Sequence, residues 1–167
     1  MTGAQRNRSV LVKEILKTWL KWLGVAVLGL TISLYVAAIF VPLDPVERQP
    51  GIGLSGSVAA DQNPDWSTLV EGRTKVWVET RTRYFIPHSI PAMAWTQGDH
   101  LYVGCRSCDG KFWSDNVGRD DRVRLKIGND LYERRAVRLG DTDRRSILRI
   151  PVGDPLPDRD VFRMDPR

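Results

Sequence analysis

A run of uncharged residues near the N-terminus constrains this chain more than any other feature. From Trp22 to Val41 the sequence "WLGVAVLGLTISLYVAAIFV" carries no charged side chain, and Pro42 follows it. At a helical rise of roughly 1.5 Å per residue, the run spans about 30 Å, which is the thickness of the hydrocarbon core of a bilayer. We therefore expect one transmembrane helix over residues 22–41.

Two other interpretations of this run were weighed, a cleaved signal peptide and a buried core helix. The apolar region of a signal peptide is usually shorter than this run. The best small-residue cleavage site, "SVAAD", also lies far downstream. A domain of this size could hardly surround a helix that is apolar on every face. An uncleaved membrane anchor is favoured.

The charges beside the run predict its orientation. Glu14 is the one acidic residue before it, against the basic residues Arg6, Arg8, Lys13, Lys17 and Lys21. Positive charge stays on the cytoplasmic side, so we expect residues 1–21 to be a basic cytoplasmic segment and the C-terminal domain to lie on the outer side. Removing these residues from the net charge of +5 leaves about +1, so the pI of 9.5 reflects topology and does not indicate nucleic acid as a partner.

Two segments are too rich in Pro and Gly to predict regular structure. Residues 42–64 are predicted to form a linker. This segment contains "GIGLSG", formally a G-x-G-x-x-G motif, but no strand precedes it and no good helix start follows it. Residues 151–167 are predicted to form a loosely attached tail.

The residues between these segments, 65–150, alternate between short apolar runs and turn signals, which is typical of strands. The predicted strands are "TKVWVET", "YFIPHSIPAMAW" and "HLYVGC", followed by the hairpin "RVRLKIGNDLYERRAVRL". Short helices are predicted between Cys108 and Arg122, with Asp109 and Gly118 as caps, and from Asp141 to Ile150. Because Pro87 and Pro91 lack an amide hydrogen, their strand should lie partly at an edge. The predicted fold is mainly β, a small barrel with one or two short helices.

The chain has two cysteines, Cys105 and Cys108, in the stretch "LYVGCRSCDGKFW". C-x-x-C is the usual spacing of a redox dithiol, but the α/β context of such dithiols is missing here. Outside the cytoplasm a structural disulfide is favoured. A zinc site that also uses His88 and His100 would have four ligands, but a C-x-x-C without a second pair is a weak zinc signal, and we assign no metal.

The same stretch also has the composition of a phosphate-binding loop. Arg106, Ser107 and Lys111 surround the start of the predicted helix, where unpaired amides and the helix dipole favour an anion. Asp109 weakens this interpretation because a carboxylate competes for the same helix terminus. A plain hairpin loop remains the alternative.

The order of these motifs resembles the split β-barrel superfamily of flavin- and deazaflavin-binding proteins, which includes pyridoxamine-phosphate-oxidase-like proteins and deazaflavin-dependent nitroreductases. Three stretches carry the resemblance: "RYFIPHSIPAMAW", "LYVGCRSCDGKFW" and "WSDNVGRDDRVRLKIG". Cys105 and Cys108 depart from it, since the family usually has Ser, Thr or Gly there, and a membrane anchor is not typical of the enzymes. The resemblance implies a homodimer with flavin mononucleotide (FMN) or a deazaflavin between two split barrels.

We therefore predict a single-pass membrane protein whose split barrel binds a flavin-type cofactor and could transfer hydride to an unidentified acceptor. The candidate cofactor-binding residues are His88, Ser89, Arg106, Ser107, Lys111 and Trp113. The alternative is a non-enzymatic, membrane-tethered module that dimerises or binds a partner and in which the cysteines are structural.

Overall fold

The computed structural model describes the backbone of residues 3–167 and the side chains of residues 13–167, and its contacts divide the chain between Ala37 and Ala38. Helix α1, Gly3–Phe40, makes up nearly all of the first unit. Its segment Lys13–Phe40 is long and apolar enough to cross a membrane. The prediction of an apolar N-terminal helix is confirmed, and the helix begins well before Trp22 because the residues that precede the run are mostly good helix formers.

Hydroxyl groups inside the apolar segment of α1 are satisfied by the helix itself. Thr31 donates to the Val27 carbonyl and Ser33 to the Gly29 carbonyl, each at 2.9 Å. Bonds of this kind remove the cost of an unpaired hydroxyl in an apolar environment. The two polar residues are thus compatible with a lipid-exposed helix.

The second unit is built of short strands with helices in the connections. Its strands are β1 Ser57–Val58, β2 Thr74–Arg81, β3 Pro87–Gln97, β4 His100–Arg106, β5 Arg122–Ile127, β6 Asp130–Arg138 and β7 Arg159–Pro166. Its helices are α2 Trp66–Leu69, α3 Phe112–Arg119 and α4 Asp141–Ile147. The predicted mainly-β fold with short helices is confirmed.

The sheet closes on itself. Its strand order is β6-β5-β2-β3-β4-β7, and β7 also pairs with β6, so six of the described strands form a barrel. The short strand β1 adds to β6 in parallel, beside the part of β6 that β7 leaves unpaired. Closure removes the exposed edges that an open sheet would present.

Strand β7 corrects the prediction for the C-terminal segment. Residues 151–167 were expected to be a loose tail, but Arg159–Pro166 pairs antiparallel with both β4 and β6. Phe162 and Met164 are buried in the barrel core. The last strand therefore completes the barrel, and the compact body extends past residue 150.

The prolines of β3 lie where this strand has only one β-strand neighbour. The pairing with β4 covers Met93–Gln97, whereas Pro87–Ala92 pairs with β2 alone. On the free side, Ser89 exchanges two backbone hydrogen bonds with Gly51, at 2.8 and 3.1 Å. Because alternate residues of a strand point the same way, Pro87 and Pro91 turn their missing amides to this free side, as the edge prediction required.

The barrel interior is filled by alternate residues of neighbouring strands. The fully or nearly fully buried side chains include Val76, Val78, Ala94, Leu101, Val103, Val123, Leu125, Phe162 and Met164. Helix α3 covers one part of this core, with the rings of Trp113 and Phe162 4.8 Å apart. Asn116 of the same helix is buried and donates to the Thr80 hydroxyl at 3.0 Å.

Part of the predicted linker packs against the barrel. We call residues 43–55 the strap. Asp44 accepts hydrogen bonds from Lys126 at 2.6 Å and from the Ser55 amide at 2.9 Å, and the Leu54 amide donates to Glu79 at 2.7 Å. Composition suggested a flexible segment, but these charged and buried partners, distant in sequence, fix it in place.

The start of α3 differs from its predicted capping. The residue before the helix is Lys111, which makes no side-chain capping bond, while the Asp109 carboxylate lies 3.5 Å from Arg138. Gly118 falls inside the helix, which ends at Arg119. Asp109 is thus paired with a cation of β6 and does not cap the helix terminus.

Candidate functional site

The outer face of β2, β3, β4 and β7 carries a cleft of about 840 Å³, a volume typical of a small-molecule site. Its apolar surface is formed by Ile90, Pro91, Ala92, Met93, Trp95, Gly104, Cys105 and Trp113. Its charged lining consists of Arg48, Arg73, Lys75, Arg106, Lys111 and Arg159 against Glu47. The cleft is therefore apolar at its floor and strongly cationic.

The floor depends on a glycine. Met93 and Trp95 of β3 lie opposite Gly104 and Tyr102 of β4. A Cβ atom at Gly104 would come within 3.0 Å of the Trp95 ring, so this ring lies directly over the glycine. Trp95 also stacks on Tyr102, with ring centroids 6.0 Å apart. The arrangement leaves a half-buried indole beside the cationic residues.

Two arginines of the cleft face each other across neighbouring strands. Arg106, the last residue of β4, lies directly opposite Arg159, the first residue of β7. Neither guanidinium has a hydrogen bond or an ion pair with any side chain that the structure describes. Like charges directly opposite each other destabilise a sheet. This pair needs a counter-charge.

A second cross-strand arginine pair in the same barrel is neutralised. Arg122 of β5 lies opposite Arg135 of β6. Arg122 pairs with Asp120 at 2.7 Å and Arg135 pairs with Asp121 at 3.0 Å. Arg159 of the cleft pair has carboxylates on either side of it in the sequence, but Asp158 accepts from Ser107, and Asp160 pairs with Arg138 and Arg144. Neither carboxylate is paired with Arg106 or Arg159.

Further cations enter the cleft from the strap and from the start of β2. Arg48 and Arg73 are exposed and, like Arg106, have no side-chain partner among the described residues. Lys75 donates to the Glu47 carbonyl at 3.2 Å, which ties the strap to β2. Arg48 of the strap and the basic residues of the barrel therefore line the same cleft.

The predicted phosphate loop is only partly available to a ligand. Arg106 and Lys111 line the cleft, as does Trp113, which is 5% exposed. Lys111 also donates to the Arg106 carbonyl at 2.5 Å. Ser107 is not among the lining residues, and its hydroxyl donates to Asp158 at 2.7 Å. Arg106 is thus the residue of this loop whose charge is free for a ligand.

The two cysteines are joined by a disulfide, with their Cα atoms 5.5 Å apart. Both are buried, and Cys105 contributes to the wall of the cleft. The bond closes a short loop that contains Arg106 and Ser107. It also occupies both sulfur ligands of the zinc hypothesis, whose two histidines lie towards opposite ends of β3, with His88 near its start and His100 opposite Gln97.

His88 and Ser89 are not among the lining residues of the cleft. As consecutive strand residues, they point to opposite faces of β3. Ser89 is fully buried beneath Gly51 of the strap, and the ring of His88 packs edge-on against Phe112, with centroids 6.3 Å apart. Burial lowers the pKa of His88 from its ordinary value of 6.5.

Four of the six cations that line the cleft were not among the predicted site residues. Arg48, Arg73, Lys75 and Arg159 come from segments far apart in the sequence, and only the strand register and the strap bring them together. Arg159 had a weak signal, because it lies just before the apolar residues of the stretch "RDVFRM". Arg48 and Arg73 had none.

Fold and site together define a closed six-stranded barrel with an anion-attracting cleft on its outer face. No protein-family model matches the chain. No curated protein matches it either.

Solved structures similar to this chain include a protein provisionally named a pyridoxamine 5′-phosphate oxidase, from Listeria innocua, at 16% identity and a TM-score of 0.49, covering 64% of this chain and 94% of that one. An F420 reductase is similar at 15% identity and a TM-score of 0.41, covering 60% of this chain and 92% of that one. A protein provisionally named a 5-nitroimidazole antibiotic resistance protein, from Bacteroides thetaiotaomicron, is similar at 12% identity and a TM-score of 0.46, covering 73% of this chain and 90% of that one. The strand pairing described above establishes the fold independently of these similarities.

Proposed function

We propose that this protein is a membrane-anchored split-barrel protein that binds a flavin-type cofactor, FMN or a deazaflavin, in the cationic cleft. The observation that carries the proposal is the unneutralised pair of Arg106 and Arg159. A phosphate bound between the two guanidinium groups would supply the missing counter-charge through charge-assisted hydrogen bonds.

The residues of the cleft fit such a group at both of its ends. Arg106, Arg159 and Lys111 would hold the phosphate, and Arg48 and Arg73 raise the positive potential around it. The half-buried ring of Trp95 and the side chain of Met93 offer a flat apolar surface to a ring system. A bound flavin or deazaflavin would supply hydride-transfer chemistry.

The chain's own residues would bind and orient the cofactor and would exclude water from one side of it. The cleft lining contains a single carboxylate, Glu47, and no histidine, so we assign no catalytic acid or base. The disulfide would restrain the backbone at Arg106, and the hydrogen bond from Lys111 to the Arg106 carbonyl would keep Lys111 beside it. This division of roles leaves the chemistry to the cofactor.

We further propose that α1 anchors the protein as a single-pass helix with the N-terminus in the cytoplasm and the barrel on the outer side. The length of the apolar segment and the basic residues before it support this orientation. A homodimer remains part of the proposal, because the cleft is open at the barrel surface and Met93 is 45% exposed there.

The non-enzymatic alternative is favoured by a different observation. Ser107 and Lys111 make hydrogen bonds within the loop region, to Asp158 and to the Arg106 carbonyl. A loop that uses its polar groups internally is also what a purely structural turn requires. In that case the cleft would bind an anionic group of a partner and no cofactor.

Titration of the purified full-length chain in detergent with FMN, riboflavin and a deazaflavin tests the proposal. We expect FMN to bind more tightly than riboflavin, because only FMN carries the phosphate. Removing one charge-assisted hydrogen bond costs about 1.5–3 kcal/mol, so Arg106→Gln and Arg159→Gln should each weaken FMN binding by about tenfold or more.

Arg135→Gln is the matched control, since Arg135 belongs to the cross-strand pair outside the cleft and should leave FMN binding unchanged. If adding the wild-type chain changes the fluorescence of neither the flavins nor the deazaflavin, the proposal is contradicted. Equal binding of FMN and riboflavin would contradict the role of the two arginines.

A further inference from the structure

Exposed aromatic rings of the barrel unit gather at one end of the barrel. Among residues 41–167, all of which the structure describes, the exposed aromatic side chains are Tyr84, Phe85 and Phe112, at 67%, 69% and 77%. Tyr84 and Phe85 form the turn between β2 and β3. Phe112 follows the loop after β4 and contacts His88 at the start of β3. We call Tyr84, Phe85 and Phe112 the aromatic end.

The turn that carries two of these rings is well defined. The Thr82 amide donates to Ile86 and the Phe85 amide to Thr82, both at 3.0 Å. Phe85 has a φ of 61°, a left-handed conformation that favours Gly or Asn. The sequence thus retains a large aromatic side chain where neither backbone conformation nor solvent exposure favours one.

Positive charge flanks the same turn. Arg81 and Arg83 are exposed on either side of Thr82. Aromatic rings prefer the interfacial region of a bilayer, and arginines near its surface are attracted to anionic headgroups. The aromatic end therefore has the chemistry of a surface that docks on a membrane.

The strap is attached to the barrel near this end. The Leu43 carbonyl accepts from Ile52 at 2.9 Å, and neighbouring Gly51 is bonded to Ser89 near the start of β3. At a strand rise of about 3.3 Å per residue, Ser89 lies within roughly 15 Å of Phe85. Only Val41 and Pro42 separate Leu43 from the end of α1 at Phe40.

We infer that the aromatic end docks on the lipid surface of the membrane in which α1 is anchored, with Tyr84, Phe85 and Phe112 in the interfacial layer and Arg81 and Arg83 on anionic headgroups. The inference rests on the membrane anchoring proposed above and is independent of cofactor binding. Val41 and Pro42 span at most about 10 Å, so a barrel tethered to an anchored α1 stays within reach of the lipid surface.

The test uses the full-length chain in vesicles of phosphatidylcholine with a minority of phosphatidylglycerol. Phe85→Cys is labelled with an environment-sensitive fluorophore, and the native cysteines are protected as a disulfide. Asp99→Cys, in the turn at the other end of β3, is the matched control. We expect a blue-shifted emission and quenching by spin-labelled lipids for the Phe85 label, and neither for the Asp99 label.

A second labelled variant, Phe112→Cys, should show the same blue shift and quenching as Phe85→Cys. Because Phe112 lies outside the turn that carries Phe85, agreement between the two labels excludes an effect of that turn alone. We expect quenching of both labels to decrease when phosphatidylglycerol is replaced by phosphatidylcholine. If the labels at positions 85 and 99 have the same emission while the chain co-floats with the vesicles, the docking is overturned and the anchor stands. If the emission of the label at position 85 is blue-shifted in detergent as well as in vesicles, and spin-labelled lipids do not quench it, the docking on lipid is overturned in favour of a protein partner. If the chain does not co-float with the vesicles, both the anchor and the docking are overturned. FMN titration tests cofactor binding separately.

Discussion

Arg134 is a charged residue in a place where the barrel should be apolar. It lies on β6 between the buried residues Tyr132 and Ala136 and is 1% exposed. Its guanidinium lies over the Trp66 ring at 4.7 Å and donates to Asn63 at 2.8 Å, but has no carboxylate partner among the described residues. Burial lowers the pKa of the Arg134 side chain. Such a charge stabilises a fold weakly, because its desolvation offsets most of what its contacts contribute.

We therefore expect Arg134→Met to leave the free energy of unfolding unchanged or to raise it. Met keeps the volume and the contact with Trp66, and Asn63 is exposed enough to bond water instead. Arg134→Ala should lower the free energy of unfolding by about 3 kcal/mol, because it leaves a cavity. Denaturant unfolding of the full-length chain in detergent measures both. Equal losses in the two variants would show that the guanidinium contacts themselves stabilise the barrel.

At the scale of elements, the loop from Cys105 to Lys111 joins the core to the cleft. Cys105 ends the buried part of β4, Cys108 is 2% exposed, and the disulfide closes the loop between them. Ser107 and Gly110 of this loop have φ values of 47° and 77°, so its backbone is tightly turned. The disulfide therefore fixes a conformation that places Arg106 and Lys111 at the cleft.

Replacing both cysteines with alanine should lower the free energy of unfolding by about 2 kcal/mol, the chain-entropy contribution of so short a closed loop. It should also weaken FMN binding, because the backbone that carries Arg106 is no longer restrained. Unfolding and FMN titration of the double variant measure the two effects. A reductant should change the wild-type chain in the same direction and leave the double variant unaffected. A stable, fully binding double variant would contradict this role of the disulfide.

The elements that the sequence predicted are those with a local signal. β-Branched and aromatic residues identified β2, alternation identified β5, and the turn after it identified β6 as its hairpin partner. The prolines indicated an edge in β3, because missing amides are a local property. Strand β7 was missed because a Pro-rich stretch precedes it and its partners, β4 and β6, are distant in the sequence. The same limit applies to the cleft. Arg106 was predicted from its own loop, whereas its partner Arg159 follows from the register between two strands.

At the scale of the whole molecule, topology and redox state are linked. If the barrel lies on the outer side of the membrane, Cys105 and Cys108 are in a compartment where disulfides persist. If it lay in the cytoplasm, the same cysteines would be kept reduced. The basic residues before the apolar segment and the disulfide beside the cleft thus predict the same orientation from different chemistry.

Neutralising the basic segment should therefore change both observables at once. With Arg6, Arg8, Lys13, Lys17 and Lys21 replaced by Gln, we expect part of the population to insert with the barrel in the cytoplasm. A reporter fused to the C-terminus should then show a cytoplasmic fraction, and a thiol-reactive probe should label Cys105 and Cys108 in that fraction alone. Replacing Arg135 and Arg149, which lie in the barrel unit and outside the aromatic end, should alter neither. A cytoplasmic C-terminal reporter on the wild-type chain would contradict the orientation. Free thiols in that chain would show that Cys105 and Cys108 are reduced where the barrel lies.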